Sequence, residues 1–158
     1  MRLEEQVGAL LKTQNHTIAT AESCTGGLIA HRLTDVPGSS SYLMGGIVAY
    51  SNDVKIKLLA VQEETLLRFG AVSAETAEEM VLGVKHLLDT DYAVSVTGIA
   101  GPGGGTEDKP VGLTYIGFAG RDNVVIVERH VWRGDRISNK QSSADAALRL
   151  VLQHLAQN

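Results

Sequence analysis

The chain is poor in aromatic residues and contains a single cysteine and three prolines among its 158 residues. Aromatic side chains make up only 4% of the sequence, so the core must be built mainly from Ala, Val, Ile and Leu. The lone cysteine, Cys24, can neither close an internal disulfide nor form a thiolate zinc site by itself. Because this usage is typical of a reducing compartment, we expect a cytoplasmic location.

Long apolar runs and an excess of basic residues are also missing. No stretch is long enough to span a bilayer, and residues 1–5 lack the apolar run of a signal peptide. The formal net charge of −4 argues against proteins that coat nucleic acid or an anionic membrane, so we expect neither as a partner. The five histidines are scattered without metal-ligand spacing, and we expect no catalytic metal and no cofactor.

The hydrophobic pattern alternates between short β-favouring runs and amphipathic helical stretches. Helices are predicted at residues 3–13, after Gly27, from near Asp53, at 62–69, after Ser73 and at 135–156. Strands are predicted at 17–21, 42–50, 93–97, 111–119 and 124–130, the last two forming a hairpin. This order indicates an α/β fold: a single three-layer domain over residues 1–158, in which helices flank a mixed sheet.

Three stretches are rich in small and polar residues, and the first covers residues 21–27 between a strand and a helix. Such a turn can expose the hydroxyl of Ser23 while free N–H groups of the new helix face the same spot. A nucleophile and oxyanion donors would then come from one turn, although phosphate binding would suit it too. Alternatively, Ser23 caps the helix and the glycines allow close packing. Cys24 is a rival nucleophile, but unpaired cysteines are usually buried apolar residues.

The second stretch, residues 45–55, ends with Lys55 near the start of a predicted helix. If this helix starts after Ser51 or Asn52, Lys55 lies in its first turn. The positive end of the helix dipole would lower the lysine pKa there, as a lysine general base requires. Tyr50, at the end of the preceding strand, could share a proton network with it. The stretch taken alone fits a solvated lysine and a half-buried tyrosine better.

The third stretch follows Thr97, and six of the 15 residues from 98 to 112 are glycine. At the carboxyl end of a strand in an α/β sheet, such a loop binds ligands, and its N–H groups can approach phosphate closely. Thr106 stands where a dinucleotide fingerprint needs its last glycine, and no P-loop lysine follows. Arg136 and Lys140 belong to a basic cluster further on, which could bind phosphate or form a solvated basic face.

In this order and spacing, the stretches resemble the CinA C-terminal domain family, many of whose members are nicotinamide mononucleotide deamidases. The matching segments are residues 21–27 (Ala-Glu-Ser-Cys-Thr-Gly-Gly), 46–55, 70–73 (Gly-Ala-Val-Ser), 97–104 (Thr-Gly-Ile-Ala-Gly-Pro-Gly-Gly) and 134–136 (Gly-Asp-Arg). The resemblance covers nearly the whole chain and implies metal-free hydrolysis of the nicotinamide carboxamide to nicotinate, with release of ammonia. It also implies Ser23 as the nucleophile, with Lys55 and Tyr50 as its polar partners.

A small-molecule nucleotide is the substrate that this resemblance implies. The residues that we expect to bind it are Thr25, Gly26, Gly46, Thr97, Gly98, Gly101, Gly103 and Arg136. Four residues after the Gly-Asp-Arg arginine the family often has another arginine, where this chain has Lys140. Many relatives carry the domain after a molybdopterin-binding-like domain, so the chain looks like the stand-alone form.

Two other functions remain open on the sequence alone. One is a nucleotide-binding or regulatory module that performs no catalysis, and the other is a hydrolase that acts on a different amide. The sequence leaves the oligomeric state open, and a homo-oligomer is among the states it allows.

Overall fold

The structure is a computed structural model that describes residues 1–157. Its helices are α1 (Leu3–Gln14), α2 (Leu28–Thr34), α3 (Asn52–Leu59), α4 (Glu63–Phe69), α5 (Ala74–Leu88) and α6 (Arg136–Leu155). Its strands are β1 (Ile18–Glu22), β2 (Leu43–Val48), β3 (Tyr92–Gly98), β4 (Leu113–Ala119) and β5 (Val125–Val131). A short 3₁₀ turn, Ser39–Ser41, lies before β2.

The five strands form one sheet in the order β2-β1-β3-β4-β5. Strand β1 pairs in parallel with both β2 and β3, whereas β3–β4 and β4–β5 are antiparallel. The predicted mixed sheet and its hairpin are therefore confirmed. Since β1, β2 and β3 run in the same direction, their carboxyl ends at Glu22, Val48 and Gly98 lie along one edge of the sheet. The three stretches singled out in the sequence all follow that edge.

Helices cover both faces of the sheet, which confirms the predicted three-layer arrangement. Helices α1, α2 and α6 pack together on one face, while α3 and α4 pack against α5 on the other. Each interface contains its own buried apolar cluster: Leu11, Ile29 and Leu148 belong to the first, and Leu59 and Val81 to the second. Burial of aliphatic side chains is the main favourable contribution to this fold, as the low aromatic content requires.

Local capping signals set the beginnings of three helices. Ser51, Ser73 and Asp135 each accept a hydrogen bond from the backbone N–H three residues further on, at the start of α3, α5 and α6. Helix α2 differs, because it begins at Leu28 and its N-cap residue is Gly27, with a φ of 102°. Ser23 is therefore not a helix cap.

Two predicted strands are shorter in the structure. The strand predicted at 42–50 ends at Val48, and the one predicted at 111–119 begins at Leu113. Gly112 precedes Leu113 with a φ of 91°, and a Cβ atom there would lie 1.9 Å from the carbonyl oxygen of Trp132. Only glycine fits this close approach of two chain segments. Over residues 1–157, no helix has the length and apolar character needed to cross a membrane.

Candidate active site

A cleft of about 290 Å³ opens at the carboxyl edge of the parallel strands. Its lining residues are Ser23, Cys24, Tyr50, Asn52, Lys55, Ala71, Val72, residues 97–101, Gly103, Gly104 and Arg136. The three small-residue stretches, which are far apart in the sequence, therefore meet in one cleft. In the described part of the chain, no group of three or more His, Cys, Asp or Glu side chains is placed to hold a metal ion.

Ser23 and Lys55 meet inside this cleft. The Nζ atom of Lys55 lies 3.3 Å from Oγ of Ser23, and it also donates to the main-chain carbonyls of Ala49 (2.9 Å) and Tyr50 (3.4 Å). Lys55 is only 1% exposed, and this burial lowers its pKa because the ammonium form loses hydration. A neutral amine at this distance can accept the proton of the serine hydroxyl. The pair therefore has the geometry of an activated nucleophile and its base.

The surroundings of Lys55 differ in one respect from those expected. Lys55 is the fourth residue of α3, in the first turn as expected, and burial is the physical cause that lowers its pKa. Tyr50 is 61% exposed, and its hydroxyl accepts a hydrogen bond from Nη2 of Arg136 at 3.1 Å. Only the main-chain carbonyl of Tyr50 contacts the lysine ammonium. The expected proton network between the Tyr50 hydroxyl and Lys55 is not formed.

Cys24 lines the same cleft but is held in its unreactive form. The residue is 8% exposed, and burial together with the nearby Glu22 carboxylate raises the pKa of the thiol to about 11. Since the thiolate is the reactive species, Cys24 is a weak nucleophile near neutral pH. The electrostatics of the cleft therefore favour Ser23 over Cys24.

The turn that carries Ser23 is organised around Glu22, a residue to which the sequence reasoning gave no role. The Glu22 carboxylate accepts hydrogen bonds from the N–H groups of Ile29 (2.9 Å) and Ala30 (3.0 Å), in the first turn of α2. We expected free N–H groups of this helix to face the same spot as the Ser23 hydroxyl. The structure corrects that expectation, because a carboxylate of the chain itself occupies the amino end of α2. Oxyanion donors are therefore expected in the turn between Ser23 and α2.

The opposite wall of the cleft is the glycine-rich loop after β3. The buried hydroxyl of Thr97 donates to the carbonyl of Ala71 at 2.7 Å, which joins the strand end to the segment before α5. A Cβ atom at Gly98 would lie 2.7 Å from Oγ1 of Thr114 and 3.1 Å from Sγ of Cys24, so glycine allows this strand end to approach the turn that carries Ser23. Nothing lies within 4 Å of a Cβ atom placed on Gly103, which leaves that part of the loop open to a ligand.

Three of the predicted substrate-binding residues do not line this cleft. Thr25 and Gly26 line a neighbouring cavity of about 400 Å³ together with Lys140. The Thr25 hydroxyl is already used, because it donates to Oε1 of Glu22 at 2.6 Å. Gly46 lies within β2, where a Cβ atom would be 2.4 Å from Oγ1 of Thr20. Close approach of Thr20 requires a glycine at this exposed position of the edge strand.

Several residues of the site were missed by sequence reasoning. Asn52, Ala71 and Val72 line the cleft, and all three stand in segments that already matched the family pattern. Asn139, which is 2% exposed, donates to the carbonyl of Ala100 at 3.0 Å and accepts from the N–H of Gly134 at 2.9 Å. It therefore ties the glycine-rich loop to the start of α6. The only signal for it was an amide side chain among the buried positions of a helix.

Known proteins resemble this chain in sequence over nearly its whole length. A CinA-like protein of Chloroherpeton thalassium is 54% identical over 154 residues, and one of a Sulfurihydrogenibium species is 50% identical over 159 residues. These matches cover 96% and 100% of this chain but only 37% and 39% of those relatives. The chain therefore spans less than two fifths of the length of the curated relatives that it matches.

Solved structures support the same relationship. The competence/damage inducible protein CihA from Agrobacterium tumefaciens is 39% identical, with a TM-score of 0.92 over 98% of this chain and 95% of its own. The competence damage-inducible protein A from Klebsiella pneumoniae is 31% identical, with a TM-score of 0.94 and the same coverage of 98% and 95%. The family model described as the CinA C-terminal domain matches residues 1–155. The chain belongs to the CinA C-terminal domain family.

Proposed function

We propose that this chain is an amidohydrolase that converts nicotinamide mononucleotide to nicotinate mononucleotide and ammonia through a serine acyl-enzyme. The observation that carries the proposal is the buried pair of Ser23 Oγ and Lys55 Nζ, 3.3 Å apart in the cleft. A serine paired with a lysine is one of the recurring variants of the nucleophile–base pair. The family resemblance supplies the substrate, and the geometry supports the type of chemistry.

Acylation begins with Lys55 in its neutral form. Lys55 Nζ accepts the proton of the Ser23 hydroxyl as Oγ attacks the carboxamide carbon. This carbon becomes tetrahedral, and the former carbonyl oxygen becomes an oxyanion. The main-chain N–H groups of Cys24 and Thr25, which follow the nucleophile directly, are the candidates to stabilise this charge. The Lys55 ammonium then donates its proton to the amide nitrogen, the carbon–nitrogen bond breaks and ammonia leaves. Ser23 now carries the nicotinoyl group as an ester.

Deacylation uses the same lysine in the same two roles. A water molecule attacks the ester carbon while Lys55 accepts one of its protons, and the second tetrahedral intermediate collapses with return of that proton to Ser23 Oγ. The product is nicotinate mononucleotide with a carboxyl group in place of the carboxamide. Each cycle therefore consumes one water molecule and leaves the enzyme unchanged.

The orientation of the nucleotide follows from burial. Ser23 and Lys55 lie buried within the cleft, whereas Arg136 and Tyr50 are exposed beside it. We therefore place the carboxamide inward and the ribose phosphate outward. Arg136 has a planar guanidinium suited to a bidentate contact with phosphate, and the glycine-rich loop offers main-chain N–H groups nearby.

The decisive experiment incubates the purified chain with nicotinamide mononucleotide. We expect ammonia and nicotinate mononucleotide in equal amounts, measured by an enzyme-coupled ammonia assay and by mass spectrometry. Ser23→Ala is the matched control, since it removes one oxygen atom at a nearly buried position and should abolish both products. A panel of other primary amides tests the substrate class. Nucleotide binding in calorimetry without ammonia release would contradict the proposal and favour a non-catalytic binding module.

A further inference from the structure

Glu22 is a buried carboxylate that directly precedes the proposed nucleophile. It is 1% exposed, and among the described residues no lysine, arginine or histidine forms an ion pair with it. An isolated buried charge is costly unless hydrogen bonds replace its lost hydration. Here three such bonds do so, and none of them involves a group that the proposed reaction uses. Glu22 therefore requires a separate explanation.

The three donors to Glu22 come from both ends of the segment that follows Ser23. The Thr25 hydroxyl donates at 2.6 Å, and the N–H groups of Ile29 and Ala30 donate at 2.9 and 3.0 Å. Because Glu22 is the last residue of β1, its carboxylate connects the end of the strand with the first turn of α2. The Glu22 carboxylate thereby joins the two ends of the loop that residues 23–27 form.

Two main-chain hydrogen bonds of Ser23 complete this arrangement. Its N–H donates to the carbonyl of Val96 in β3 at 2.9 Å, and its own carbonyl accepts from the N–H of Gly26 at 3.0 Å. The Val96 contact fixes Ser23 to the sheet, while Gly26 belongs to the loop that Glu22 holds closed. The distance between Ser23 Oγ and Lys55 Nζ thus depends on both the sheet and the carboxylate.

We infer that Glu22 is the positioning residue of the nucleophile turn, holding Ser23 and the following N–H groups in reactive geometry through Thr25 and α2. This inference rests on the proposed function. A carboxylate suits the position because it can accept from all three donors at once. The amide of a glutamine would direct its own N–H₂ group at one of these donors, and the turn would shift.

The test compares two buried carboxylates in the same chain. Glu22→Gln keeps the shape of the side chain, and Glu4→Gln is the matched control, because Glu4 is 3% exposed and pairs with Arg32 away from the cleft. We expect Glu22→Gln to lower kcat at least about tenfold with KM within about twofold, since a small misplacement of a reacting group slows chemistry more than binding. Glu4→Gln should change thermal stability but not kcat. A folded Glu22→Gln enzyme with the kcat of the wild type would overturn the inference.

A second pair of variants applies if Glu22→Gln does not fold. Thr25→Val removes the hydroxyl donor to Glu22, and Thr25→Ser keeps it. We expect the valine variant to lose kcat with little change in KM and the serine variant to recover most of it. Equal kcat values for the two variants would count against Glu22.

Labelling of Ser23 separates this inference from the choice of substrate. A fluorophosphonate probe forms a covalent bond with an activated serine hydroxyl and releases fluoride, and the adduct is located by mass spectrometry. If the wild type does not release ammonia from nicotinamide mononucleotide, the proposed function fails. Slower labelling of Ser23 in Glu22→Gln than in Glu4→Gln would still support the inference, and equal labelling would overturn it. A wild-type chain that is neither active nor labelled would overturn both.

Discussion

The hydroxyl of Tyr50 accepts a hydrogen bond from Nη2 of Arg136, and Nη1 of the same guanidinium donates to the carbonyl of Gly101 at 2.7 Å. One side chain from the start of α6 therefore connects the segment after β2 with the glycine-rich loop after β3. Arg136 is exposed and has no carboxylate partner among the described residues. Its charge remains available to an anionic ligand at this place.

The first prediction concerns the substrate phosphate. We expect Arg136→Ala to raise KM for nicotinamide mononucleotide about tenfold or more, because hydrogen bonds to charged groups contribute about 1.5–3 kcal/mol. Free nicotinamide should be a poor substrate in both kcat and KM, since binding energy from the phosphate assists the reaction at the carboxamide. Steady-state kinetics with both compounds measure this. Equal turnover of the two compounds, or unchanged kinetics of Arg136→Ala, would contradict the prediction.

Tyr50→Phe gives a separate prediction, because the Tyr50 hydroxyl contacts Arg136 and not Lys55. We expect a moderate rise in KM and a kcat within about threefold of the wild type, since water can replace the exposed hydroxyl as a partner of the Arg136 guanidinium. The ring itself stays in place. A loss of kcat as large as that of Lys55→Ala would instead give the Tyr50 hydroxyl a direct part in proton transfer.

The third prediction is the pH dependence that follows from the lowered pKa of Lys55. A free lysine has a pKa of about 10.4, and burial lowers that of Lys55. Because the base must be unprotonated, kcat/KM should rise with pH through the lowered pKa and level off before the usual lysine value. Lys55→Arg keeps the positive charge but supplies no base at accessible pH, so it should be nearly as inactive as Lys55→Ala. Circular dichroism provides the control for folding. An active, folded Lys55→Arg enzyme would remove Lys55 as the base.

The fourth prediction links activity to stability at the same residue. Lys55→Met replaces a buried amine by an apolar side chain of similar length, and we expect it to raise the free energy of unfolding by about 1 kcal/mol at pH 7. In this variant the carbonyls of Ala49 and Tyr50 lose a hydrogen-bond donor, which limits the gain in the free energy of unfolding.

The sign of the pH dependence of the stability difference between the wild type and Lys55→Met provides a further check. The folded-state pKa of Lys55 lies below the unfolded value. At pH values between these two pKa values, the unfolded chain therefore binds more protons than the folded chain. The stability of the wild type should therefore rise relative to Lys55→Met as pH increases towards about 10.4. Urea unfolding at several pH values measures the difference between the two proteins. An advantage of Lys55→Met that grows with pH would contradict the assignment.

The fifth prediction separates the two adjacent candidate nucleophiles. Ser23→Ala should lower kcat at least about a thousandfold, as the loss of other activated serines does. Cys24→Ala should remain largely active, and Cys24 should react slowly with iodoacetamide at pH 7, because the pKa of its thiol is raised to about 11. An inactive Cys24→Ala combined with an active Ser23→Ala would reverse the assignment.

Much of the fold could be predicted from local signals. Ser73, a typical N-cap residue, predicts the start of α5. The alternation of strands and helices indicates a mixed sheet between two helical layers. These signals depend on short-range physics: side-chain caps, hydrophobic periodicity and turn residues. The limits of β2 and β4 could not be predicted equally well, because the place where a strand leaves the sheet depends on contacts such as that between Gly112 and Trp132.

The candidate site divides in the same way. The family resemblance singled out Ser23 and Lys55, and the structure places their side chains 3.3 Å apart although 32 positions separate them in the chain. The pattern could not tell that a Cβ atom at Gly46 would meet Oγ1 of Thr20, since a ligand-binding glycine and a packing glycine look the same in a sequence.

By itself, the sequence determined the family, the order of the elements and the chemical groups available, because these depend on residue types and their spacing. Only the tertiary structure decided how those groups are used. It buried Lys55 and so lowered its pKa, directed the Tyr50 hydroxyl to Arg136, and placed Glu22 at the amino end of α2. Burial, distance and hydrogen-bond partner are properties of three-dimensional packing, and they select which of several plausible polar residues can take part in the proposed reaction.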